Sequence, residues 1–133
     1  MKEILVGGGV HHIAMRASDF DNTVKFYKEI LGFKEAIKWG DTGSRAIMLD
    51  IGDGACLEIF EGGSKERKLE GAFIHLALRL KNCDEVIEIV RKAGRKITTE
   101  PLDAVIKSNP PTPARIAFFE GPEGEIVELF ENR

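Results

Sequence analysis

Polar and apolar residues alternate along His12-Ile13-Ala14-Met15-Arg16: Ile13 and Met15 point one way, His12, Ala14 and Arg16 the other. This predicts a strand over 10–17. The period then lengthens. Val24, Tyr27 and Leu31, widened by Phe26 and Ile30, make a helical stripe over 22–31. Ser18-Asp19 can cap that helix and Gly32 can stop it. Three short strands follow, at 33–39, 45–50 and 55–61, with Gly52-Asp53-Gly54 as a hairpin signal between the last two. In the third, Leu57 and Ile59 face one side while Cys56, Glu58 and Phe60 face the other.

The same order then returns. Residues 62–71 form a polar, glycine-bounded linker, read as a solvated loop. From Ala72 a strand sets Ile74, Leu76, Leu78 and Leu80 against His75, Ala77 and Arg79. A helix over about 84–93, capped by Asn82 or Asp84, shows Val86, Ile89, Val90 and Ala93 and stops at Gly94. A weaker strand covers Lys96 to Thr98. Pro101, Pro110, Pro111 and Pro113 predict an irregular stretch over 99–113, of a length found in lids, binding loops and surface loops. Strands at 114–119 and 125–131, joined by Gly121-Pro122-Glu123-Gly124, close the chain. The fold class is therefore α+β: two βαβββ modules in a pseudo-twofold repeat, forming a curved, cup-shaped mixed sheet within a single domain, 1–133. Module one spans about 10–61 and module two about 72–131.

The repeat also carries chemistry. His12-Ile13-Ala14-Met15-Arg16 and His75-Leu76-Ala77-Leu78-Arg79 share the pattern His-x-Ala-x-Arg, offset from 12 to 75 by 63 residues. Leu57-Glu58-Ile59-Phe60-Glu61 and Val127-Glu128-Leu129-Phe130-Glu131 match at an offset, from 58 to 128, of 70. A helix-covered sheet face must be apolar, so His12, Glu58, His75 and Glu128 project onto the uncovered face. Charged groups there are costly to bury unless paired or bound to metal. If the modules pack as pseudo-symmetric partners, all four converge, and two imidazoles with two carboxylates suit divalent zinc, nickel, cobalt, manganese or iron.

Composition narrows the field. A net charge of −3 gives no basic footprint for nucleic acid, and no apolar run approaches the roughly 20 residues that span a bilayer. The acidic, briefly apolar start is unlike a signal peptide, so the expected location is cytoplasmic. Cys56 and Cys83 read as two reduced thiols.

Three segments resemble the vicinal oxygen chelate superfamily, the glyoxalase/bleomycin-resistance/extradiol-dioxygenase fold, over about residues 10–131. His12 to Arg16, through Ser18-Asp19, Phe26-Tyr27 and Leu31-Gly32-Phe33, is similar to its opening strand and helix. Ile74 to Leu78 is similar to the start of its second module. Ile116 to Gly124, through Glu128-Leu129, is similar to its closing hairpin, with Gly121 where the family usually has aspartate.

Within that superfamily, histidine, glutamate, histidine, glutamate in that order resembles short bacterial glyoxalase I (lactoylglutathione lyase-like). The resemblance implies one divalent metal ion per site, nickel or cobalt favoured, held by His12, Glu58, His75 and Glu128. It implies a lyase or isomerase that turns a hemithioacetal, a methylglyoxal–thiol adduct, into a hydroxyacyl thioester through a metal-bound enediolate. Glu128 would be the base, with Glu58 the alternative. Arg16 matches an arginine that binds the glutathione glutamyl carboxylate. The implied partners are a small-molecule substrate, thiol-linked, and a second copy in a homodimer, with no nucleic acid and no membrane. Gly62 and Gly71 stand where glyoxalase I has asparagine and arginine that help hold glutathione, so the metal chemistry transfers more fully than the thiol. The alternatives are a methylmalonyl-CoA epimerase-like enzyme, whose family places glutamine at the position of Glu58, and a non-catalytic small-molecule or antibiotic-binding protein with Trp39, Phe60, Phe119 and Phe130 lining the cup.

Overall fold

The computed structural model describes Val6, residues 10–64, Glu66 and residues 75–133. The chain divides into two compact units, Met1–Ser64 and Lys65–Arg133. The first holds β1 (His12–Ala17), α1 (Phe20–Lys25, continued by a π turn over Phe26–Ile30), β2 (Lys34–Trp39), β3 (Ala46–Asp50) and β4 (Cys56–Glu61). The second holds β5 (Leu76–Arg79), α2 (Cys83–Lys92), β6 (Ile97–Ile106), β7 (Thr112–Glu120) and β8 (Ile126–Asn132). Each unit is thus strand, helix and three strands, an α+β arrangement made twice. The hydrogen-bonded strands form two four-stranded mixed sheets, ordered β1-β4-β3-β2 and β5-β8-β7-β6. The expected linker residues 65 and 67–71, Gly71 among them, and the start of the second module at 72–74 lie outside the described residues.

Local signals account for most of the boundaries. Asp19 caps α1, its carboxylate accepting the Asn22 N–H at 3.1 Å. The π turn closes with the Leu31 N–H donating to the Phe26 carbonyl at 3.1 Å, so Phe26 and Tyr27, adjacent in sequence, are both buried. Gly32 then takes φ +77°, the left-handed conformation that ends the helix without a Cβ penalty. In α2 the buried stripe is Cys83, Ile87 and Val90; of the residues expected there Val90 is buried, Val86 and Ala93 are half-buried and Ile89 is exposed.

The stretch 99–113 differs from expectation. Most of it is strand, in β6 and the start of β7. Pro101 is tolerated because β6 is the edge of its sheet and its pairing with β7 shifts register between Thr99 and Leu102, where a missing N–H leaves no ladder bond broken. Pro113 sits at the second residue of β7, where its carbonyl accepts the Arg133 N–H at 3.2 Å. The connection that remains, 107–111, is too short for a lid.

The core of each unit lies between its helix and one sheet face. Tyr27, Ile47, Leu49, Leu57 and Ile59 fill the first; Ile87, Val90, Ala117, Phe119, Val127 and Leu129 fill the second. Cys56 and Cys83 are buried and unbridged. Among the described residues no helix is long and apolar enough to cross a membrane.

Candidate metal centre

The opposite face of each sheet carries the repeated residues. β1 runs parallel to β4 with Ala14 opposite Glu58, and β5 runs parallel to β8 with Ala77 opposite Glu128. His12 and His75 each precede that alanine by two residues, so each histidine lies diagonal to its glutamate across a parallel pair, at the same register in both units. His12 Nε2 stands 3.6 Å from Glu58 Oε1, and His75 Nε2 stands 3.0 Å from Glu128 Oε1.

The carboxylates are the unusual members. Glu58 and Glu128 are 7% and 9% exposed, and among the described residues the buried polar side chains are these two and Thr23. A buried carboxylate needs a partner, and each of these faces an imidazole rather than a lysine or arginine. Two donors bound to one cation at about 2.0–2.2 Å stand roughly 3.0 Å apart at a right angle and about 3.4 Å apart at a tetrahedral angle. Both N···O separations are close to that spacing, so each pair fits one edge of a coordination shell. Nitrogen with carboxylate oxygen suits zinc and its first-row neighbours. Among the described residues no group of three or more His, Cys, Asp or Glu side chains is gathered for a metal, so each unit by itself offers a two-donor half-site.

The surroundings are built from the same registers. Met48 on β3 lies opposite Glu58, and Phe118 on β7 lies opposite Glu128. The Phe118 ring meets His75 edge-on, with ring centres 5.6 Å apart. Arg16 is opposite Phe60 and its guanidinium lies 5.8 Å from that ring. Phe60 in turn meets Trp39 edge-on at 6.2 Å. Arg45, Arg91, Arg115 and Arg133 all pair with carboxylates, whereas among the described residues Arg16 meets none. Arg79 lies opposite Phe130, repeating the Arg16–Phe60 placement in the second unit. Cys56 lies opposite His12, and burial and the nearby Asp50 push its thiol up.

The expected aromatic lining needs one correction. Trp39, Phe60 and Phe130 occupy the site-face positions, but Phe119 is fully buried in the core of its unit and Phe118 takes the site face instead. The run Ile116-Ala117-Phe118-Phe119 is apolar on both faces of β7, so period-two alternation does not fix its phase. His11 was missed as well: its Nδ1 lies 2.9 Å from Nδ1 of His12. The doubled histidine at 11–12 was the available signal.

Comparison with known proteins agrees with this architecture. The pattern of the Glyoxalase/Bleomycin resistance protein/Dioxygenase superfamily matches residues 9–129. A probable lactoylglutathione lyase of Vibrio parahaemolyticus is 26% identical over 133 residues, covering 95% of this chain and 92% of its own. The trypanothione-dependent glyoxalase I of Leishmania major superposes with a TM-score of 0.73 at 25% identity, covering 93% of this chain and 86% of that one. The fosfomycin resistance protein FosX of Listeria monocytogenes, solved with Mn(II) and sulfate, superposes with a TM-score of 0.71 at 21% identity, covering 97% and 95%. With a match that runs through both modules, the chain belongs to the Glyoxalase/Bleomycin resistance protein/Dioxygenase superfamily.

Proposed function

We propose that this protein is a metal-dependent lyase or isomerase of the glyoxalase I type, acting on the hemithioacetal of a small 2-oxoaldehyde and a thiol. The observation that carries the reading is the pair of buried carboxylates, Glu58 and Glu128, each facing an imidazole at matching register. Relatives named lactoylglutathione lyase support it. His12 and Glu58 with His75 and Glu128 would together hold one divalent cation, nickel or cobalt favoured and zinc, manganese or iron allowed by the donors. The two halves would come from one chain or from the two chains of a homodimer.

When bound, the cation would supply Lewis-acid stabilisation of the negative charge that develops on two neighbouring substrate oxygens. The chain's own residues do the rest. Glu128 takes the proton from the carbon that bears sulfur and returns it to the adjacent carbonyl carbon; Glu58 is the alternative base. One C–H bond breaks and another forms, the hydroxyl proton moves to the neighbouring oxygen, and no external oxidant or reductant is needed. Arg16 holds a carboxylate on the thiol portion, for which its planar fork is suited. The test is turnover of methylglyoxal mixed with several thiols, glutathione among them, by protein loaded in turn with nickel, cobalt and zinc. Thioester formation that needs metal supports the reading. Inactivity with every thiol and metal, alongside epimerisation of a CoA thioester, would replace it.

A further inference from the structure

His11 stands outside both the repeat and the four-residue donor set; the matching position in module two is Ile74. Its ring meets His12 edge-on, with centres 5.1 Å apart, an interplanar angle of 82° and the two Nδ1 atoms 2.9 Å apart. Two imidazole nitrogens at that distance share one proton, so one ring donates and the other accepts. The ligand role of His12 selects which. His12 Nε2 faces the Glu58 carboxylate at 3.6 Å, the side on which a cation held by both would lie. Cation binding there needs the Nε2 lone pair open, which puts the His12 proton on Nδ1, 2.9 Å from Nδ1 of His11. The backbone helps: the His11 carbonyl accepts the Cys56 N–H at 2.9 Å, which fixes the residue just before β1 begins.

We propose that His11 is a positioning residue that accepts the His12 Nδ1 proton and so holds His12 in the tautomer whose Nε2 is open to a divalent cation. A metal-ligating histidine characteristically donates its second ring N–H to an acceptor, which sets both tautomer and ring orientation. Here that acceptor is a neighbouring imidazole, and it serves one half-site only. His75 is seated differently, against the edge of Phe118 and in contact with Glu128.

The inference rests on the metal reading, and its test has two readouts so that the two can fail separately. In metal-free protein labelled with 15N-histidine, long-range proton–nitrogen correlation reports which ring nitrogen carries the proton. Wild type is expected to show His12 protonated at Nδ1. His11→Ala is expected to turn this into a tautomer mixture while His75 stays unchanged, and His11→Gln, whose amide oxygen can accept, is expected to restore it in part. In the second readout, zinc affinity is measured by competition with a chromophoric chelator. His11→Ala should weaken zinc about 10- to 100-fold, the usual cost of losing such a partner, and His11→Gln less. A His12 protonated at Nε2 in wild type would overturn the proposal, as would unchanged tautomer and affinity in His11→Ala. Wild-type affinity in His12→Ala would overturn the metal reading instead, while the tautomer readout still decides the His11 contact.

Discussion

Glu58 and Glu128 occupy positions that an apolar residue would fill at lower cost, and their chemistry follows from that burial. Glu128→Gln keeps shape and removes the proposed base, so turnover should fall by about 10²- to 10⁴-fold with the fold intact; steady-state rates alongside circular dichroism check this. An undiminished rate would move the role to Glu58. Arg16→Ala should raise KM for a carboxylate-bearing thiol by about 10-fold or more with a smaller change in kcat, because a charge-assisted hydrogen bond is worth about 1.5–3 kcal/mol. Arg16→Lys should recover only part, since a point charge cannot make the forked contact. Phe118 and Phe119 make a paired control. Phe119→Ala empties a fully buried site and should cost about 3–5 kcal/mol in denaturant unfolding. Phe118→Ala, beside His75 on the site face, should cost less stability and weaken metal binding more. The proposed donors stand out in the sequence because a repeat marks them twice. His11 does not, because a repeat conceals what occurs in one module only, and Phe119 was misplaced because the run from Ile116 to Phe119 is apolar on both faces of β7.

At the scale of elements, the repeat reaches further than the donor set. Arg45 on the loop into β3 pairs with Asp21 of α1 at 2.9 Å and with Glu61 of β4 at 2.7 Å. Arg115 on β7 pairs with Asp84 of α2 at 2.7 Å and with Asp103 of β6 at 3.2 Å. Asp21 and Asp84 stand 63 residues apart and Arg45 and Arg115 stand 70 apart, the same offsets as the histidines and the glutamates. An arginine thus ties the first turn of each helix to its sheet. The consequence is a pH dependence. Hydrogen bonds from the Arg45 side chain and backbone hold the Glu61 carboxyl down from 4.5 to about 2. A depressed carboxyl contributes stability above its unfolded value and loses it as pH falls through the folded one. Unfolding midpoints should therefore drop between about pH 4.5 and 2, and Glu61→Gln should flatten that slope. Equal slopes for variant and wild type would show that the pair contributes nothing measurable to stability. Helices and most strands were readable from period and caps. β6 was not, because proline was weighed without knowing that the strand would lie at an edge, where a bulge accommodates it.

For the whole molecule, two units of like topology each present one histidine–glutamate pair at the same register. Two donors hold a divalent ion weakly; the proposed function needs both pairs on one ion. The direct measurement is metal content per chain, by mass spectrometry, for wild type, His12→Ala and His75→Ala after loading with nickel, cobalt or zinc and removal of excess. About one ion per chain is expected in wild type, with its loss in both variants, one from each module. No bound ion in wild type, or retention by either variant, would contradict it and leave the two matched pairs as features of the fold alone.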